Sequence, residues 1–212
     1  GANEPFFLPK SIEFNNKYEK APISWIRLWK IHGSFGWFWK KNSENETFKV
    51  VRLGVMAKDS QEKNELVIYP SREKYELSRK QPFTTYFDRL KNYLHKGEGL
   101  FIINGYSFSD EHINEIIFNA LKQNNRLHII VFSYSDKTIK KIENTAQTYL
   151  NISVYGPTLA IIKGFKGKWD FNNTKSSVVE NEQLKIGDFK YLVDFLISTS
   201  GKKKKILSDI SE

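Results

Sequence analysis

Residues 99–114 read GLFIINGYSFSDEHIN. The first half is short, nearly all apolar and bounded by Gly99 and Gly105, the pattern of a central parallel strand buried on both faces. Its second half turns polar and then periodic. Ile113, Ile116, Ile117, Ala120 and Leu121 recur at helical spacing, which predicts an amphipathic helix over 109–124. A buried strand, a glycine and the start of a helix in sixteen residues is half of a βαβ unit.

The pattern continues on both sides. LHIIVFS (127–133) is a second buried strand, followed by a helix over 136–150. NISVYG and TLAIIKG read as short strands, and Phe189, Leu192, Val193 and Leu196 mark a last helix over 187–198. Before residue 99, Phe83, Tyr86, Phe87, Leu90 and Leu94 repeat at helical spacing behind Pro82, a residue suited to a helix start. From residue 82 onward strands and helices alternate. That alternation predicts right-handed crossovers and an α/β fold, a doubly wound parallel sheet covered on both faces.

The N-terminal part has another character. Residues 1–24 carry Pro5, Pro9 and Pro22 and read as an irregular, extended lead-in. WIRLWKIH (25–32) reads as a strand stopped by Gly33. Residues 36–56 read as a hairpin around a polar Asn-Ser-Glu-Asn turn, and ELVIYP (65–70) as a further strand.

Composition narrows the function classes. The chain has 212 residues, 40% of them hydrophobic and 15% aromatic, enough for one domain with a real core. It has no cysteine, which excludes disulfides and thiolate metal sites and fits the cytoplasm. No apolar run approaches the length of a membrane span, so no membrane partner is expected. Lys and Arg outnumber Asp and Glu by 33 to 24, a net charge of +9 that favours anionic ligands. Part of that excess is the run Lys202–Lys205, so residues 1–200 are expected to form the domain and 201–212 a basic linker or tail. The rest is diffuse, and direct binding of nucleic acid is not expected.

Ligands of doubly wound sheets bind beyond the carboxyl ends of the strands. By this reading His32 ends one strand, and Gly105-Tyr106-Ser107 ends another just before a helix. A glycine lets a ligand approach the backbone, a hydroxyl can bond a ribose, and a helix start favours negative charge. Each residue also has a structural reading. Ser107 and Asp110 fit a capping box, with Ser109 as an alternative cap. His112 fits a polar surface position, and His32 a hydrogen-bonded structural histidine. His95 and His128 read as structural.

LWKIHGSFGW (28–37) together with GLFIINGYSFSDEHIN resembles the sirtuin-like domain of bacterial antiphage defence proteins. VIYPSREKY and PFTTYFDRL lie between them where that family has similar segments. The resemblance runs over about residues 1–136 and more weakly to 165. It implies a Rossmann-like sheet and NAD as substrate. It assigns His32 to the His-Gly motif that supports cleavage of the nicotinamide N-glycosidic bond, with water as acceptor. It also implies cofactor-binding roles for Gly33, Ser34, Gly105, Tyr106, Ser107, Asp110 and His112. The chemistry suits such residues: nicotinamide leaves as a neutral group from an oxocarbenium-like centre, and an imidazole exchanges a proton near neutrality. The implied whole is an NAD+ glycohydrolase, an effector of abortive infection in prokaryotes. It would act with a sensor protein or domain, as a homo- or hetero-oligomer. The alternative is a non-catalytic Rossmann-like module that binds NAD or ADP-ribose.

The sequence departs from that family in two ways. Ordinary sirtuins carry a four-cysteine zinc ribbon, so the absence of cysteine argues for no zinc and against a deacylase of that build. The glycine-rich phosphate loop and catalytic Asn precede the His-Gly motif in the family. Asn15, 17 residues before His32, lies in EFNNKYEK, which lacks the neighbouring Gln and Asp. The chain is therefore expected to be the C-terminal half of such a domain.

Overall fold

In the computed structural model, residues 28–41, 48–52, 65–67, 82–172 and 176–200 are described. The proline-rich lead-in with Asn15, the turn over 42–47 and the basic tail over 201–212 lie outside them. The chain divides into two compact units, Gly1–Tyr93 and Leu94–Glu212.

Residues 99–114 lie in the second unit. Strand β4 (Gly99–Asn104), helix α2 (Glu111–Gln123), β5 (Leu127–Phe132), α3 (Asp136–Thr148) and β6 (Ile152–Tyr155) follow in that order. β4 pairs with β5 and β5 with β6, both parallel, with Ile103 opposite Val131 and Val131 opposite Val154. Two crossovers stepping in one direction place α2 and α3 on the same face of the sheet. That face is the core: Leu127, Ile129, Val131, Ile152 and Val154 are buried there, with Ile117, Ala120 and Leu121 from α2 and Ile139, Ile142 and Ala146 from α3 also buried. The fold is α/β and Rossmann-like.

Two features differ from a purely parallel sheet covered on both faces. After β6 the chain turns back as β7 (Leu159–Ile162) and again as β8 (Phe165–Lys168), both antiparallel, giving the order β4-β5-β6-β7-β8. Ile162 pairs with Phe165, so the loop is Lys163-Gly164, both at positive φ, the two-residue geometry that closes a twisted hairpin. And on the face opposite the helices, Leu100 and Ile102 of β4 are exposed. A small hairpin, β9 (Val179–Glu180) and β10 (Gln183–Leu184), then leads into helix α4 (Phe189–Thr199).

In the first unit, β1 (Gly33–Lys41) is the centre of a three-stranded sheet, order β2-β1-β3, with β2 (Phe48–Arg52) and β3 (Glu65–Val67) both antiparallel to it. The expected hairpin is present, with Trp37 opposite Arg52 and Lys41 opposite Phe48. Helix α1 (Phe83–His95) begins behind a buried Pro82, whose carbonyl accepts from Tyr86 N at 3.3 Å. Phe83, Tyr86 and Leu94 of its apolar stripe are buried. One expectation fails here: described residues 28–32 form no strand. Gly33 takes φ +83° and its N–H donates to Lys30 O at 2.9 Å, so the apolar run closes in a tight turn before β1 starts.

Candidate functional site

His32 therefore precedes a strand of an antiparallel sheet; it does not end a parallel one. It occupies the turn before β1, half-buried, with its ring edge-on to Phe87 of α1 at 6.5 Å. Across the same turn, Lys30 Nζ donates to Ser34 Oγ at 2.8 Å. Trp37 stacks on Tyr86 at 6.0 Å and 15°. His32 thus lies in the turn, and Gly33 and Ser34 open β1 directly after it, within the first unit.

Gly105, Tyr106, Ser107, Asp110 and His112 come together in the second unit, at the carboxyl end of β4. Gly105 takes φ +66° and turns the chain out of the sheet. Asp110 is the N-cap of α2, its carboxylate accepting from Ile113 N at 3.5 Å, and His112 lies half-buried in the first turn. The cap is therefore Asp110, not Ser107 or Ser109. Those two serines are instead joined, Ser107 Oγ donating to Ser109 Oγ at 3.1 Å.

The reason lies in Phe108. It adopts φ +52°, a left-handed conformation rare for a bulky residue, and its side chain is buried against Tyr106 at 4.7 Å and Phe118 at 6.3 Å. Asn114 Nδ2 holds the Phe108 carbonyl at 3.0 Å. Tyr106 shares its phenolic proton between Asn114 Oδ1 at 2.9 Å and the Asp110 carbonyl at 3.0 Å. Burial first, and then the charge of Asp110, hold that phenol well above the ordinary tyrosine range. Tyr106 is thus a neutral brace of the loop at any physiological pH.

The turn does not stand alone on this edge. Asn104 Nδ2 donates to Ile186 O at 2.9 Å, tying the end of β4 to the segment before α4. There a cavity of about 300 Å³ opens at the carboxyl ends of β5 and β6. Ser133, Tyr134 and Pro157, residues of the β9–β10 hairpin, and Gly187, Asp188 and Tyr191 line it. Asp188 caps α4 by accepting from Lys190 N at 3.0 Å. A cavity at the carboxyl edge of parallel strands, beside a helix N-terminus, is where such sheets take nucleotide ligands. The sequence reading missed it. The signal was Gly187-Asp188 before an apolar helix, which marks a cap; the hairpin strands are two residues each, too short for any periodicity.

A family model described as a SIR2-like domain matches residues 4–155, which include both the His-Gly turn and the whole β4–α2 segment. The chain belongs to the SIR2-like domain family. No curated protein matches it. Membership gives the α/β sheet its Rossmann-like, sirtuin-like identity and points the chain to NAD-related chemistry. Among the described residues no group of His, Asp and Glu could hold a metal ion, and no helix is long and apolar enough to cross a membrane. Of the remaining histidines, His128 lies on β5 with Nε2 3.1 Å from Ser153 Oγ, and His95 lies in the last turn of α1.

Proposed function

We propose that this SIR2-like domain is an NAD+ glycohydrolase that releases nicotinamide with water as acceptor, and that it is an effector of prokaryotic antiphage defence under a sensor's control. The observation that carries the reading is the pairing of two motifs inside one family match. KIHGS supplies an imidazole able to hold or move the proton of a ribose hydroxyl. GYSFSDEHIN supplies a glycine turn and a helix N-terminus at the carboxyl end of β4, suited to a ribose and its phosphates. In this reading His32 is the catalytic residue. Gly33, Ser34, Gly105, Tyr106, Ser107, Asp110 and His112 are the residues expected to bind or shape the ligand site.

The test is nicotinamide release from NAD+ by the full-length protein, with its activating sensor where one is needed. His32→Ala is expected to abolish release while the circular dichroism spectrum and melting temperature stay near wild type. Wild-type turnover by a folded His32→Ala protein would remove His32 from the chemistry. The alternative is a module that binds NAD or ADP-ribose without cleaving it. Saturable binding with no nicotinamide release, under every activating condition, would favour that reading.

A further inference from the structure

The sheet of the second unit ends on β8, which pairs with β7 on one side, while among the described residues nothing pairs with its other side. All its residues are exposed, Phe165 at 83%. The hairpin decides which backbone groups face outward. A two-residue loop closes on a pair that exchanges both its hydrogen bonds, here Ile162 and Phe165. Phe165, Gly167 and Trp169 therefore point their backbone groups toward β7, and Trp169 N accordingly donates to Thr158 O at 3.0 Å. The N–H and C=O of Lys166 and Lys168 point the other way, to the open edge.

The two faces of this edge differ. Lys166 Nζ donates to Glu143 Oε1 of α3 at 2.8 Å, so Lys166, and Lys168 two residues on, stand on the face that carries the helices. Phe165 and Gly167 stand on the opposite face. A Cβ on Gly167 would meet no atom within 4 Å, so the space over it, next to Phe165, is open.

A second copy of the chain fits this edge poorly. In a two-fold antiparallel pairing centred on Lys166, Gly167 or Lys168, a lysine always stands opposite a lysine, and like charges directly opposite destabilise a strand pair. Lysines on an edge strand are a common guard against such self-pairing. An acidic strand reverses the sign. Directly opposed residues share a face, so two carboxylates would meet Lys166 and Lys168, and the residue between them would lie over Gly167. The chain's net charge of +9 acts in the same direction.

We propose that the open edge of β8 is a docking site for an extended acidic segment of a partner protein, added antiparallel as a sixth strand of the sheet. Its pattern is acid–apolar–acid opposite Lys166, Gly167 and Lys168. Main-chain bonds at the two lysines supply affinity, their charges select the partner, and the apolar side chain packs over Gly167 beside Phe165. The site is independent of the NAD reading.

The test is residue-resolved amide exchange of the full-length protein, alone and with a blocked peptide of alternating glutamate and valine. The same peptide with lysine in place of glutamate is the control. Without peptide, the amides of Lys166 and Lys168 are expected to exchange faster than those of Phe165 and Gly167. The glutamate peptide should slow Lys166 and Lys168, and should bind about tenfold or more tighter than the control. Combining Lys166→Gln with Lys168→Gln, at two exposed positions, should narrow that ratio to about threefold or less. Equal binding of the two peptides, binding without protection of the two amides, or no binding to the folded protein would overturn the proposal. So would protection of the same amides by inorganic polyphosphate, which would make the edge a general anion surface. Protection by raised protein concentration alone would assign the edge to a second copy and overturn it as well.

Discussion

Lys141 of α3 holds Ser107 of the β4–α2 loop. Its Nζ donates to the Ser107 carbonyl at 3.0 Å and to Ser109 Oγ at 2.9 Å, across 34 and 32 residues of sequence. A helix between β5 and β6 thereby sets the position of a loop that follows β4. Charge-assisted bonds of this kind are short and directional, but this one is exposed, so its contribution is modest.

Lys141→Met is therefore expected to loosen the loop more than it destabilises the unit. Amide exchange over 105–110 should accelerate, and NAD+ affinity should fall by about two- to tenfold, with a melting temperature near wild type. Lys141→Arg should restore part of the affinity. Unchanged exchange in Lys141→Met would show that the lysine does not hold the loop.

Ser107 and Asp110 should separate cleanly. Asp110 is a buried N-cap, and Asp110→Ala should cost about 0.5–2 kcal/mol of stability. Ser107 is exposed and bonds Ser109, so Ser107→Ala should leave the melting temperature nearly unchanged. If its hydroxyl binds the dinucleotide, the loss appears as affinity, about 1 kcal/mol. Thermal melts beside calorimetric titrations of the two variants make the comparison. A large stability loss in Ser107→Ala would return that residue to a structural role.

Tyr106 gives a pH prediction with a definite sign. Its folded-state pKa lies above the ordinary tyrosine value of 10.0. The unfolded chain therefore gives up its proton first as pH rises, and stability falls from about pH 10 upward. Below that range the contribution is fully present. Tyr106→Phe should flatten this alkaline limb of a denaturant-derived stability curve. Tyr86 and Tyr191 are also raised, Tyr86 by burial and Tyr191 chiefly by its bond to Glu180, so the limb should shrink without vanishing. An alkaline limb unchanged in Tyr106→Phe would contradict the assignment.

How much of this was legible depends on where the signal resides. β4, β5, α2 and α3 could be read because a buried strand is continuously apolar and a helix over a sheet repeats near 3.6 residues. β8 could not, since Phe165-Lys-Gly-Lys is exposed at every position and carries no burial pattern. Lys163-Gly164 is the one local cue for a two-residue turn there, and TLAIIKG by itself reads as a strand that ends at that glycine. The cap at Asp110 depended on a left-handed Phe108, a tertiary choice made by Tyr106, Phe118 and Asn114 together. His32 was misplaced for a related reason. An apolar run looks the same whether it pairs or turns, and the positive φ at Gly33 decides.

Two glycines on the candidate edge are required for different reasons, and substitution should tell them apart. At Gly187 a Cβ would collide with the backbone carbonyl of Ser133 and lie 2.8 Å from Tyr134 N, where nothing flexible can give way. At Gly105 a Cβ would meet no atom within 4 Å, and the constraint is φ +66° alone. Gly187→Ala should therefore push the start of α4 off the end of β5, costing about 1–3 kcal/mol and opening the cavity wall that carries Asp188 and Tyr191. Gly105→Ala should cost about 1–2 kcal/mol of backbone strain, and Gly105→Asn less, because asparagine tolerates the left-handed region. The ordering is the test. Gly187→Ala should lose both stability and NAD+ affinity, whereas Gly105→Asn should stay close to wild type in stability. A Gly187→Ala protein as stable as wild type would mean that the segment before α4 does not lie against Ser133 as described.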